Sequence, residues 1–120
     1  MAYAELFCQS HFSFLTGAAS PEDLVSKAAN LGYAAIAITD ECSVAGVVRA
    51  HRQIQEQQLA IKLIVGSYFQ LEDLSVVLLC PTRQAYAELC RIISNSRRRA
   101  EKGEYQLELW DLKSCRHCLL

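Results

Sequence analysis

The stretch Tyr33–His51, YAAIAITDECSVAGVVRAH, decides the fold class of this 120-residue chain. Ala34 to Ile38 is a short apolar run, rich in isoleucine, with no polar alternation. That is the pattern of a strand buried on both faces of a parallel sheet. It ends in Thr39-Asp40-Glu41, which puts two carboxylates at the strand's C-terminal tip. Cys42-Ser43 follows, then a helical stripe of Val44, Val47, Val48, His51 and Ile54. In α/β folds the C-terminal edge of the strands is where chemistry is usually placed. Asp40 and Glu41 therefore read in two ways, as functional acids or as negative charge favouring the positive end of the next helix.

The flanking segments extend the same alternation of strand and helix. Tyr3 to Phe7 forms a first strand, and Cys8 to Ala19 a loop holding Gln9, His11 and Ser13 among aromatic residues. Ser20-Pro21-Glu22-Asp23 is a helix start, with serine at the cap, proline in the first position and acids in the first turn. Leu24, Ala28 and Leu31 share one face of that helix, and Gly32 ends it. Leu59 to Phe69 reads as a third strand, Leu71 to Ser75 as a turn, and Val76 to Cys80 as a fourth strand halted by Pro81. Thr82 caps a third helix with Tyr86, Leu89, Cys90 and Ile93 on its inner face. Tyr105, Leu107 and Leu109 then alternate, and Trp110-Asp111-Leu112 begins another short helix. The order predicts an α/β architecture with a mainly parallel sheet flanked by helices. Cys118-Leu119-Leu120 reads as the start of a buried strand, and a (β/α) barrel needs about 200 residues or more. The expectation is thus the first half of a barrel, residues 1–120, cut before closure.

Composition removes several function classes. The formal net charge of -1 gives no bulk attraction to nucleic acid or membrane, and 52% hydrophobic residues suffice for a core. No run of about 18 apolar residues is present, so no membrane-spanning helix is expected. The N-terminus lacks the basic start and apolar core of a secretion signal. Of the six cysteines, Cys8, Cys42, Cys80 and Cys90 lie in or beside apolar runs, which predicts reduced thiols in a cytoplasmic protein. Cys115-Arg116-His117-Cys118 has zinc-like spacing, but no second such pair follows, and it reads as coincidental. His51 reads as a core or interface histidine. Arg97, Arg98, Arg99 and Lys102 form the dense basic patch, either a solvated helix end or a contact for DNA phosphates or an acidic partner surface. There is no glycine-rich phosphate loop, no Ser-His-Asp arrangement and no aromatic-basic face for stacking bases.

The segments AELFCQSHFSFLTGAASPEDLV, YAAIAITDECSVAGVVRAH, LIVGSYF and RIISNSRRRAEKGEYQL together resemble the N-terminal PHP (polymerase and histidinol phosphatase) domain of bacterial C-family DNA polymerases. Within these, ITDECSVAGVVRAH and RRRAEKGEYQL are similar to the error-prone, alpha-subunit-like subgroup of damage-induced mutagenesis. The resemblance implies a distorted (β/α)7 barrel. It also implies metal ligands at positions this chain has changed. A His-x-His pair falls on Phe7 and Gln9, and a Thr-Asp-His motif on Thr39-Asp40-Glu41. A glutamate after the Gly-x of the third strand falls on Tyr68. Only Asp40 matches, with Glu41 a possible carboxylate substitute, so a divalent metal (zinc, manganese or magnesium) is expected only if this remnant still binds one.

What the resemblance implies is a scaffold segment of a DNA-directed DNA polymerase for translesion synthesis, without catalysis of its own and without the palm domain. Its implied partners are the remaining polymerase domains and, through them, DNA and mutasome or replication proteins, with no membrane. Two other readings stand beside it. One is a metal-dependent phosphoesterase with the ligand set Gln9, His11, Asp40 and Glu41. The other is a small standalone α/β binding domain.

Overall fold

A computed structural model describes residues 3–10, 19–71 and 74–120 of the chain. His11 lies outside these residues. The elements run β1 (Ala4–Glu5), α1 (Pro21–Asn30), β2 (Ala35–Ile38), α2 (Ala45–Glu56), β3 (Lys62–Leu71), β4 (Leu74–Cys80), α3 (Arg83–Arg98) and α4 (Leu109–Lys113). This is the expected order of strands and helices. The four strands make one curled sheet in sequence order, in which β1/β2 and β2/β3 pair parallel and β3/β4 antiparallel. Crossover helices join the parallel strands, and the close of the sheet is a tight hairpin, Leu71 opposite Leu74. The α/β half-barrel reading is what the structure shows.

β2 is the centre of the sheet because it can be nowhere else. All four of its residues are buried, and a strand without a polar face needs cover on both sides. Ile36 and Ile38 pack with Val25, Ala28 and Ala50 from α1 and α2. On the other side of the molecule Phe69, Val76 and Leu78 of the hairpin pack with Leu89 and Ile92 of α3 and with Leu107. α1 starts as its sequence dictates, with Ser20 Oγ accepting from the Asp23 amide at 3.1 Å and Pro21 in the first position. Gly32 ends it at φ 79°, a left-handed conformation that a side chain would strain.

Several boundaries and faces differ from expectation, each for a local reason. β1 is shorter than Tyr3–Phe7, because the Glu5 carboxylate takes the Phe7 amide at 3.3 Å and draws the chain off the ladder. β3 starts at Lys62 rather than Leu59, because Gln58 adopts φ 51° and the Leu59 amide still closes helix α2 on Ile54 O. In α2 the buried positions are Gly46 and Ala50, while Val48 is 61% exposed and His51 faces solvent. Small residues let α1 and α2 approach closely, and Arg49–Glu22 and Gln53–Ser26 hydrogen bonds complete the seam. His51 is therefore not a core residue. Leu31, placed on the inner face of α1, is exposed.

α3 is turned from the expected Tyr86 stripe toward Ala85, Glu88, Leu89 and Ile92. The cause is Glu88, a buried carboxylate that accepts the backbone amides of Arg116, His117 and Cys118 at 3.0, 3.2 and 3.1 Å. Burial opposes ionisation of this group, but the three amides outweigh it and pull the carboxyl down to about 2. Glu88 thus anchors the C-terminal segment, whose Leu119 pairs with Leu79 of β4.

The lowered pKa makes the Glu88 anchor a pH-dependent contribution. It is present in full above the ordinary glutamate value of 4.5 and is lost as pH falls through about 2. Glu88→Gln should cost about 1–3 kcal/mol in urea unfolding at pH 7. The gap between variant and wild type should narrow progressively as the titration is repeated from pH 4.5 toward pH 2.

Candidate functional site

The tip of β2 places Thr39, Asp40 and Glu41 at the junction of β1, β3 and the first turn of α2. Thr39 and Asp40 are 0% and 1% exposed. Asp40 Oδ1 accepts the Ser10 amide at 2.6 Å, and Oδ2 accepts the Ser10 hydroxyl at 2.7 Å. Its carbonyl accepts the Tyr68 amide at 3.0 Å and the Ser67 hydroxyl at 2.7 Å. One residue therefore ties the loop after β1 to β3. α2 closes over it: a Cβ at Gly46 would sit 3.0 Å from Asp40 Oδ2 and 3.1 Å from Pro21 Cγ. The negative charge beside this first turn is favoured by the helix dipole. It is not the cap itself, since Val44 holds that position and Ser43 Oγ takes the Ala45 amide.

Glu41 is turned the other way. Cys42 adopts φ 46°, a strained value for a side chain with a Cβ, held by its amide on Tyr68 O and by Arg97 Nη2 on its carbonyl. Glu41 then receives a 2.5 Å hydrogen bond from the Tyr105 hydroxyl, which itself accepts the Gln70 amide at 2.8 Å. Burial, followed by the bond to Glu41, pushes the Tyr105 phenol well above its ordinary value, so it stays a donor. The Arg97 guanidinium lies 5.5 Å from the centre of the Tyr105 ring and also donates to Glu104 O. Burial pushes the Cys42 thiol up to about 11, so it is a neutral core group. A groove of about 700 Å³ opens beside Tyr105 between the β3–β4 hairpin and Leu107.

Of the other positions, His11 lies outside the described residues, and Phe7 and Tyr68 offer no ligand where the resemblance puts one. Their rings pack tilted against each other, centres 5.6 Å apart. The Tyr68 hydroxyl turns to Gln70 Oε1. Gln9 is half-buried and brings only a neutral amide. Among the described residues no three His, Cys, Asp or Glu side chains converge as a metal site would need. Among the described residues the donor set does not fit a metal centre. There Asp40 is bonded by Ser10 and Glu41 by Tyr105, and an aromatic pair stands where the resemblance puts nitrogen and oxygen donors.

The basic patch is divided by the fold. Arg97 faces inward onto Cys42 and Tyr105. Arg99 grips Asp111 through both guanidinium nitrogens, at 2.5 and 3.1 Å, and holds α4 against α3. Its hydrogen bond keeps the Asp111 carboxyl below the usual carboxylate range. Arg98 lies outward along α3 with bonds to Asn95 and Ser94, and Lys102 is exposed in the following turn. Ser10, Tyr105 and Glu88 were not singled out from the sequence. Their partners lie 30, 64 and 28–30 residues away, and no local pattern announces such contacts.

These networks predict separable effects on stability. Asp40→Ala strands the buried Ser10 amide and should cost about 2–3 kcal/mol. Tyr105→Phe removes one donor from Glu41 and one acceptor from Gln70, and should cost about 1–2 kcal/mol. Equilibrium urea unfolding of the two single variants and the double variant checks this, with near-additive losses expected because, among the described residues, Asp40 and Tyr105 share no hydrogen-bond partner side chain.

The chain is 64% identical to an error-prone DNA polymerase of Vibrio vulnificus and 68% identical to one of Vibrio campbellii. Each match spans 121 aligned residues, 100% of this chain and 12% of the relative. The chain thus covers about an eighth of the curated relatives it matches. Among solved structures, a Bifidobacterium adolescentis protein assigned as a metal-dependent phosphoesterase superposes with TM-score 0.59 at 26% identity, over 81% of this chain and 34% of that one. An amidohydrolase of Chromobacterium violaceum superposes with TM-score 0.61 at 21% identity, with the same coverage, and shares the fold. The PHP domain model matches residues 5–117, nearly the whole chain, and the chain therefore belongs to the PHP domain family.

Proposed function

We propose that this chain is the N-terminal PHP scaffold segment of an error-prone DNA polymerase and has no hydrolytic activity of its own. In this reading residues 1–120 are a partial PHP domain. The parent protein extends DNA past lesions by nucleotidyl transfer in damage-induced mutagenesis and repair, in the cytoplasm. The observation that carries the reading is the state of the β2 tip. Asp40 and Glu41 serve as acceptors for Ser10 and Tyr105, and Phe7 packs tilted against Tyr68 where ligands would be required. Such a tip transmits rigidity between strands and offers little to a substrate phosphate. The high identity to error-prone polymerases over the whole chain supports the parentage.

The partners in this reading are the remaining polymerase domains and, through them, DNA and mutasome or replication proteins. Of the patch residues, Arg98, Arg99 and Lys102 are exposed, and Arg98 and Lys102 are the ones not tied to a carboxylate, which phosphates or an acidic domain surface would meet. Arg97 shapes that surface from beneath by holding Cys42 and Tyr105, and Arg99 by holding Asp111 at its edge.

The decisive experiment measures metal content and phosphoesterase activity together. The purified protein, loaded with zinc, manganese or magnesium and then desalted, should retain less than one equivalent. It should not hydrolyse a generic phosphodiester or phosphomonoester in manganese. Stoichiometric metal and turnover, both abolished by Asp40→Ala, would instead establish the phosphoesterase reading that the Bifidobacterium neighbour raises. An open reading frame continuing from the Leu120 codon into a palm domain would support the parentage. For the basic surface, Arg98→Ala with Lys102→Ala in the parent polymerase should weaken DNA binding equally across sequences. It should also lower the log–log salt slope by about 2.

A further inference from the structure

We infer that Cys80 and Cys118 form a reversible cross-strand disulfide that staples the segment after α4 to β4. The placement comes from the backbone. Leu79 and Leu119 exchange both of their amide–carbonyl hydrogen bonds, each at 2.8 Å, which makes them a hydrogen-bonded antiparallel pair. The next residue on each strand is then a directly opposed, non-hydrogen-bonded pair, and these residues are Cys80 and Cys118. Such pairs have Cα atoms about 4.5 Å apart, within the span of roughly 4.4–6.8 Å that a disulfide bridges. Both side chains pack against the same core cluster. The Cys118 thiol donates to Ala85 O at 3.2 Å, which sets its side chain between β4 and α3. Glu88 fixes the geometry in advance by holding the amides of residues 116–118.

The neighbouring cysteines are placed elsewhere. Cys90 lies on α3, and the Cys115 thiol turns to Asp111 O at 3.4 Å. This also revises the meaning of the Cys115–Cys118 spacing. The relation that matters is not within the four-residue motif but between its last cysteine and β4, 38 residues earlier in the chain.

The oxidant is a peroxide. The Cys80 thiolate attacks one peroxide oxygen, the O–O bond breaks, and a sulfenic acid forms with release of hydroxide. Cys118 loses its proton and attacks the sulfenic sulfur. The S–S bond forms and the second hydroxide leaves. In sum two thiols and one hydrogen peroxide give one disulfide and two waters. Burial, with Glu88 and Cys90 facing it from α3 and Cys115 from the C-terminal segment, pushes the Cys80 thiol up to about 11. Little thiolate is present at neutral pH, so the reaction is slow, as suits a structural lock set under sustained oxidative stress rather than a fast sensor.

Peroxide treatment of the purified protein, alkylation of the remaining thiols and non-reducing peptide mapping test the assignment. Expected are a fall from six free thiols to four, a mass loss of two hydrogens and one linked peptide pair carrying Cys80 and Cys118. The melting temperature should rise by at least ~5 °C and return on reduction. The Cys90→Ser/Cys115→Ser double variant should keep the link, and Cys118→Ser should lose it. A Cys115–Cys118 or Cys80–Cys90 link would overturn the inference. So would a Cys80–Cys118 yield no higher than in the urea-unfolded chain, or over-oxidation of Cys80 without any cross-link.

Discussion

A carboxylate that is 1% exposed is stable only if its oxygens are bonded, and Asp40 obtains that bonding from Ser10. The rest of the structure follows from this one constraint. Ser10 belongs to the loop after β1, so satisfying Asp40 fixes where that loop returns to the sheet. The backbone of Asp40 pairs with Tyr68 and Ser67, so the same residue sets β3 beside β2. Gly46 must lie against the carboxylate, and this determines how α2 leaves the sheet and meets α1 at Pro21.

The second acid, Glu41, serves as a tie between distant segments. Glu41 reaches across to Tyr105, beyond α3, and Arg97 covers the same ring while bonding the Cys42 carbonyl. The β2 tip is thereby joined to the segment that carries α4. A neutral phenol of raised pKa can satisfy a carboxylate without adding a charge. A metal ion would require a cluster of converging donors. The tilted rings of Phe7 and Tyr68 add apolar contact at the same edge. Architecture and ligation are competing uses of such an edge, and the contacts described at Phe7, Asp40, Glu41 and Tyr68 serve the first.

The helices show a related competition between apolar periodicity and close approach. α2 carries valines at helical spacing, yet it buries Gly46 and Ala50 and leaves Val48 outside. Two helices over one parallel sheet pack through their smallest residues when the polar seam between them, Arg49–Glu22 and Gln53–Ser26, is also to be formed. α3 is rotated for a different reason. Three amides of the C-terminal segment need an acceptor, and Glu88 must face them.

By itself the sequence determined the order of elements, the central place of β2, the capped start of α1 and the membership in the PHP domain family. Each of these is a local property: an unbroken apolar run, a Ser-Pro-Glu-Asp start, residue types at given spacings. Only the tertiary structure decided that Asp40 meets Ser10 while Glu41 meets Tyr105, that Arg97 turns inward and Arg99 is tied to Asp111 while Arg98 lies outward, and that Cys80 lies opposite Cys118. Those facts depend on contacts between residues tens of positions apart. Such contacts are set by how buried polar groups find partners once the sheet has formed, and no pattern along the chain encodes them singly.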